Sequence, residues 1–170
     1  MSIHSEHPFL EEDDPVRRFR GRVGGAVSLW TAGDETSRSG LTVSSFLVAN
    51  GDPASVVGVL DPDSDLAETL AATGRGVVQL LAWSDHDLAD AFGGVAPAPG
   101  GPFRTGTWEQ TSYGPALAGR TRALVRVART EELGWSVLVV AEIDEIVIAA
   151  DDDALEHRRG RYRRTGGSPE

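Results

Sequence analysis

The stretch "GWSVLVVAEIDEIVIAA", Gly134 to Ala150, constrains the fold more than any other. It alternates apolar and polar residues for some fifteen positions, roughly 50 Å of strand at about 3.3 Å per residue. A strand of that length in a domain of 170 residues must bend sharply, as barrel strands do. The preceding segment "RTRALVRVART" sets Ala123, Val125 and Val127 against Arg122 and Arg126, so it reads as a half-buried partner strand. Together the two predict a curled antiparallel sheet.

The rest of the chain supplies strands to complete it. "GGAVSLWT" and "GLTVSSFLVA" read as paired antiparallel strands joined by the polar "AGDETSRS". "NGDP" is a turn, and "ASVVGVL" after it a nearly continuous apolar strand. In "DPDSDLAETLAAT" the period changes: Leu66 and Leu70 lie four apart, Asp and Ser precede them, and Gly74 stops a short helix. "RGVVQLLAW" returns to strand, and "SDHDLADAF" is a second short helix with Leu88 and Phe92 inward. Trp30 and Trp83 sit in strands and are expected in the core. Pro15 opens a helix through "VRRFRGR" with Val16 and Phe19 on its inner face. Gly93 to Gly119, rich in Gly and Pro, is too long for a plain connection, and "LEHRRGRYRRT" closes the chain as a basic segment. The expected organisation is one domain over 15–165, with flexible flanks at 1–14 and 166–170.

Composition removes several functions. A net charge of −10 argues against nucleic-acid binding, which takes a basic surface. No apolar run approaches the roughly 20 residues of a membrane helix, and the start lacks the pattern of a signal peptide. The chain has no Cys, so disulfides, Cys-ligated zinc and thiol catalysis are out, and the expected location is cytoplasmic. All 16 basic residues are Arg, which rules out a Schiff-base lysine and a P-loop lysine. His4, His7, His86 and His157 stand at no metal-ligand spacing, and no metal is expected. There is no nucleophile elbow and no dinucleotide fingerprint. Chemistry supplied by a bound organic cofactor fits this inventory better than side-chain catalysis.

Thr42, Ser44 and Ser45 are then conspicuous: three small hydroxyls within an apolar strand, 42 and 44 on one face and 45 on the other. By residue type they suit either a water-facing edge or a flat, hydrogen-bonding ligand. The order of segments decides. "GLTVSSFLVANGDPASVVGVLDPDSDLAETLAATGRGVVQLLAWSDHDLADAFGG", with "GPFRTGTWEQTSYGPALAG" and "HRRGRYRR" after it, resembles the flavin reductase-like group of FMN-binding split-barrel proteins. The resemblance covers about residues 15 to 165. It implies a mainly β fold, a six-stranded antiparallel Greek-key split barrel with short inserted helices, assembled as a homodimer with flavin at the interface.

It also implies a site. Thr42, Val43, Ser44 and Ser45 would line the flavin, with the Asp61, Ser64, Asp65, Leu66 loop near the ribityl phosphate. Phe92 would touch the cofactor, and Arg159, Arg161 and Tyr162 are further candidates for contact with it. Two stretches depart from the family pattern. The phosphate-side loop carries Asp61, Asp63 and Asp65 where many relatives have a basic S-x-T, leaving Arg38, Arg75 or Arg161 to compensate. Trp135 falls where many relatives place a His beside the nicotinamide; it can stack on a ring but cannot move a proton. The implied function is an FMN-binding oxidoreductase, an NAD(P)H:flavin reductase with FMN or FAD as flavin and a flavin-dependent monooxygenase as partner. The alternative is a flavin-binding carrier, sensor or partner module without NAD(P)H turnover.

Overall fold

The computed structural model describes residues 14–150 and 153–165. The expected flexible flanks, apart from Asp14, lie outside the described residues. In chain order the elements are α1 (Pro15–Val23), β1 (Gly25–Ala26), β2 (Ser28–Ala32), β3 (Ser39–Val43), β4 (Phe46–Ala49), β5 (Ser55–Leu60), α2 (Asp65–Thr73), β6 (Arg75–Leu80) and α3 (His86–Phe92). There follow β7 (Trp108–Thr111), β8 (Gly114–Leu117), β9 (Arg122–Leu133), β10 (Ser136–Val147), β11 (Leu155–Arg158) and β12 (Arg161–Arg164).

Seven strands form the main antiparallel sheet, in the order β3-β2-β6-β9-β10-β5-β4. Its two edge strands, β3 and β4, are separated in the chain only by Ser44 and Ser45. The sheet therefore curls round until both edges meet on one run of chain. The bending expected of β10 is built by two irregularities in its pairing with β9, at Val140/Ala141 and Ile143/Glu145. Ala128 and Asp144 are the residues left without a partner there, and an extra residue on one strand bends and twists the pair.

Inside the curl, Trp30, Val43, Val56, Leu60, Val125, Val139 and Ala141 form the core, and Leu66 and Leu70 of α2 close it. Ser64 caps α2 through Ala67 N–H, and Gly74 ends it in the left-handed region at φ 69°. Trp30 needs the glycine opposite it: a Cβ on Gly58 would lie 2.6 Å from the indole ring. The indole Nε1–H donates to Ser28 Oγ (3.1 Å), and that hydroxyl donates to the Val43 carbonyl (2.6 Å). A second polar knot ties in the β7–β8 hairpin. Buried Gln79 donates from Nε2 to the Leu29 carbonyl and to Thr31 Oγ1 (both 3.0 Å), and its Oε1 accepts Leu117 N–H (2.7 Å). Asp85 and Arg120 form a two-pronged ion pair (2.6 and 2.8 Å) between the start of α3 and the approach to β9.

Two expectations are corrected, for α1 and for Trp83. The inner face assigned to α1 is not buried: Val16 and Val23 are exposed and Phe19 is 74% exposed. The helix is held by its backbone, through Arg159 N–H to the Gly21 carbonyl (2.8 Å), so its apolar stripe faces outward from this chain. Trp83 stands in a 3₁₀ turn, Trp83–Asp85, and not in a strand, because β6 ends at Leu80. The Gly/Pro-rich stretch carries a 3₁₀ turn at Pro102–Arg104 and the β7–β8 hairpin. Phe103 and Trp108 fix it by edge-to-face packing on Phe92. Among the described residues no helix is long and apolar enough to cross a membrane.

The Gln79 knot makes a direct prediction. Gln79→Leu strands the buried Leu117 N–H without a partner, and stability in urea denaturation should fall by about 2–3 kcal/mol.

Candidate functional site

The bend between β3 and β4 is where the closing run changes partners. Val43 pairs with Ser28 of β2, Phe46 with Gly58 of β5, and Val59 N–H donates to the Ser45 carbonyl (2.9 Å). The alternation expected for 42, 44 and 45 breaks at this point, and Ser44 and Ser45 both become exposed. Thr42 behaves differently. Its hydroxyl donates to the Ala89 carbonyl of α3 (2.6 Å), and Val43 is buried in the core.

On one flank of the bend, β5 ends at Leu60, opposite Val137 of β10. The turn that follows is closed by its own atoms. Asp61 Oδ1 accepts Asp63 N–H (2.9 Å), and the Asp61 carbonyl accepts Ser64 N–H (3.2 Å) and the Ser64 hydroxyl (2.7 Å). Ser64 Oγ in turn accepts Ala67 N–H (3.2 Å). Asp61, Asp63 and Asp65 are exposed, whereas Leu66 is fully buried. Trp135, 55% exposed, stands on the tip joining β9 to β10, two residues from the partner of Leu60. With strands about 4.8 Å apart and rising about 3.3 Å per residue, the bend, the acidic turn and this tip are neighbours within roughly 15 Å.

On the other flank, β2 runs back through Val27 into β1, which pairs with β11. Arg159 (φ 54°) and Gly160 turn β11 into β12, and Arg159 and Arg161 are both exposed. Tyr162 faces inward. Burial and a hydrogen bond to Asp90 of α3 push its hydroxyl up to about 12. Phe92 is buried, and a Cβ on Gly40 would come 2.7 Å from its ring.

The proposed site residues thus fall into two sets. Ser44, Ser45, Asp61, Ser64, Asp65 and Trp135 share one exposed neighbourhood. Thr42 and Tyr162 converge on α3, each holding it by a hydrogen bond, and Phe92 is the buried last residue of that helix. Val43 and Leu66 turn their side chains into the core, so only their backbone is left to meet a ligand. Arg38 donates to Gln110 and lies over Phe103, and Arg75 lies over Tyr113. Sequence reasoning missed Ser28, whose hydroxyl fixes the carbonyl just before the bend; a Ser in the apolar run "AVSLW" was the available signal.

Comparison with known proteins places the chain. Residues 20–166 match the family model "Flavin reductase like domain", and the chain belongs to that family. It is 28% identical over 159 residues to FMN reductase (NADH) RutF of Ancylobacter novellus, covering 92% of this chain and 87% of the relative. It is 22% identical over 151 residues to the 4-hydroxyphenylacetate 3-monooxygenase reductase component of Pseudomonas aeruginosa, covering 87% and 89%. Among solved structures, the NADH:FAD oxidoreductase SgcE6 of Streptomyces globisporus superposes with a TM-score of 0.80 at 23% identity, covering 94% of this chain and 96% of that one. The curled mainly β fold is therefore that of flavin reductases.

A flavin ring, with donors and acceptors along one edge, fits the exposed hydroxyls of Ser44 and Ser45. The acidic turn beside them does not fit a phosphate.

The two tyrosines give a test of the α3 anchor. Tyr113 is also raised, by its hydrogen bond to Asp144, so neither phenol ionises at its ordinary value of 10. The folded state holds the Tyr162 proton more tightly than the unfolded state does. Its contribution to stability is complete below pH 10 and is lost as pH rises toward 12. Tyr162→Phe should remove the later step of an ultraviolet titration and flatten the fall in stability over that window.

Proposed function

We propose that this protein is an NADH-dependent flavin reductase, with its flavin on the Ser44–Ser45 bend, that supplies reduced flavin to a flavin-dependent monooxygenase. Family membership over most of the chain carries the reading. The curated relatives support the reaction and the partner, one being named an FMN reductase (NADH) and another a monooxygenase reductase component. Counting the run 39–49 as one strand, the main sheet reads as a six-stranded Greek-key split barrel.

Flavin, when bound, supplies the acceptor for the nicotinamide hydride. The chain's part is binding and orientation. Ser44 and Ser45 offer neutral hydroxyls to the ring edge, and the Ser28 hydroxyl keeps the bend in place from inside. Trp135 offers an exposed indole face to the nicotinamide side. Arg159, Arg161 and Tyr162 bound the opposite flank. Proximity and alignment of two rings, with water kept out, are what such a transfer needs.

A homodimer would complete the pocket. Val16, Phe19 and Val23 on α1 and Leu47 and Val48 on β4 are apolar side chains that a single chain leaves uncovered. Their burial against a second copy accounts for them and would shield the bend from water.

The purified protein should bind flavin with micromolar affinity and oxidise NADH in its presence. Flavin binding without NADH oxidation would favour the carrier or sensor reading instead. Ser44→Ala with Ser45→Ala should weaken flavin binding about tenfold, two neutral hydrogen bonds being lost, with the fold unchanged by circular dichroism. Phe19→Glu should shift sedimentation toward monomer and weaken flavin binding with it; a monomeric wild type would exclude the dimer.

A further inference from the structure

We infer that the site prefers a flavin without a phosphate: riboflavin should bind more tightly than FMN or FAD. This rests on the reading of the bend as a flavin site and concerns which flavin it takes. Four features of the flank next to the bend point this way. Asp61, Asp63 and Asp65 put three exposed carboxylates within five residues. Three N–H groups of the turn and of the start of α2 are already bound: Asp63 N–H to Asp61 Oδ1, Ser64 N–H to the Asp61 carbonyl, and Ala67 N–H to Ser64 Oγ. Pro62 has no N–H to offer, and Leu66 spends its side chain in the core at 0% exposure. Of the three candidates to neutralise the turn, Arg38 and Arg75 are engaged with Gln110 and Phe103 and with Tyr113, and Arg161 starts β12, on the opposite flank of the bend.

The bend itself asks for no charge. Ser44 and Ser45 are neutral donors and acceptors, suited to the ring and to the hydroxyls of the ribityl chain, which all three flavins share. The flavins differ only beyond that chain, where riboflavin ends in a hydroxyl, FMN in a phosphate near −2, and FAD in a pyrophosphate. Three carboxylates at about 7 Å from a dianion, at an ionic strength with a Debye length of about 8 Å, weaken its binding roughly tenfold. A hydroxyl feels none of this. The turn thus acts by repulsion, setting specificity against the charged flavins while leaving the ring contacts common to all.

The test is a fluorescence titration of the full chain with riboflavin, FMN and FAD, at about 50 mM and about 300 mM salt. Riboflavin should bind about tenfold more tightly than FMN at low salt, and the gap should narrow as salt rises, because only FMN is repelled. Asp63→Asn with Asp65→Asn should bring FMN to within a few-fold of riboflavin. Asp61 is kept because its side chain holds the turn. An FMN affinity equal to or above that for riboflavin overturns the inference, as does a preference that the double variant leaves unmoved. If none of the three binds, the flavin reading of the site fails, and this inference with it.

Discussion

The run from Ser39 to Ala49 has to serve both edges of one sheet. Its first half pairs with β2 and its second with β5, and the closure of the barrel hangs on the two residues between. At that corner the side chains leave the inside–outside alternation, so a large apolar residue would be stranded in water and a small hydroxyl is tolerated. The corner is also held from within. The chain of hydrogen bonds from Trp30 through Ser28 to the Val43 carbonyl satisfies three buried polar groups and fixes the backbone one residue before the bend. The proposed site is thus a by-product of closure: exposed hydroxyls presented on a corner that the core holds from within.

Charge is divided across this corner. One flank carries Asp61, Asp63 and Asp65, while α1 and the β11–β12 hairpin together carry Arg17, Arg18, Arg20, Arg22, Arg158, Arg159, Arg161, Arg163 and Arg164. Among these, only Arg164 forms an ion pair among the described residues, with Asp153. Among the described residues, a chain of net charge −10 thus gathers nine arginines on one side of the bend, with an ion pair at Arg164. Such a cationic face raises the local concentration of anions arriving from solution; on the proposed reading these include the dinucleotide co-substrate, and the acidic flank would govern what stays at the bend. On that reading, attraction on approach and discrimination on binding would be separated in space.

Much of this was legible in the sequence, for physical reasons that differ by element. Ser64, Leu66, Leu70 and Gly74 announced α2 with both ends, because caps and a four-residue period are local signals. The excess length of the Gly134–Ala150 run announced a bend, and two irregularities in the β9–β10 pairing provide it. The inner face of α1 was misread because periodicity identifies an apolar stripe without saying which chain covers it. Thr42 could not be told from Ser44 in sequence, since its partner, the Ala89 carbonyl, lies 47 residues away. Ser28 and Gln79 were overlooked as single polar residues in apolar strands. In a low-dielectric core such residues must be fully bonded, which is what made them structural.

The placing of Trp135 bears on how a reductase could work here without acid–base help. Among the described histidines, His157 lies in β11 and His86 begins α3, bonded to the Trp83 carbonyl (2.8 Å). Neither is in the neighbourhood formed by the bend, the acidic turn and the β9–β10 tip. Hydride transfer between two stacked rings needs little from such a group: the hydride leaves the nicotinamide without a proton, the proton a reduced flavin takes up can come from water, and the barrier is governed by separation and alignment. A broad indole at the tip can hold a ring in a plane, which a smaller imidazole does less well. On the proposed reading, an indole at this tip would shift the burden from proton management to stacking, and the corner built on Ser28 would have to hold the ring in place.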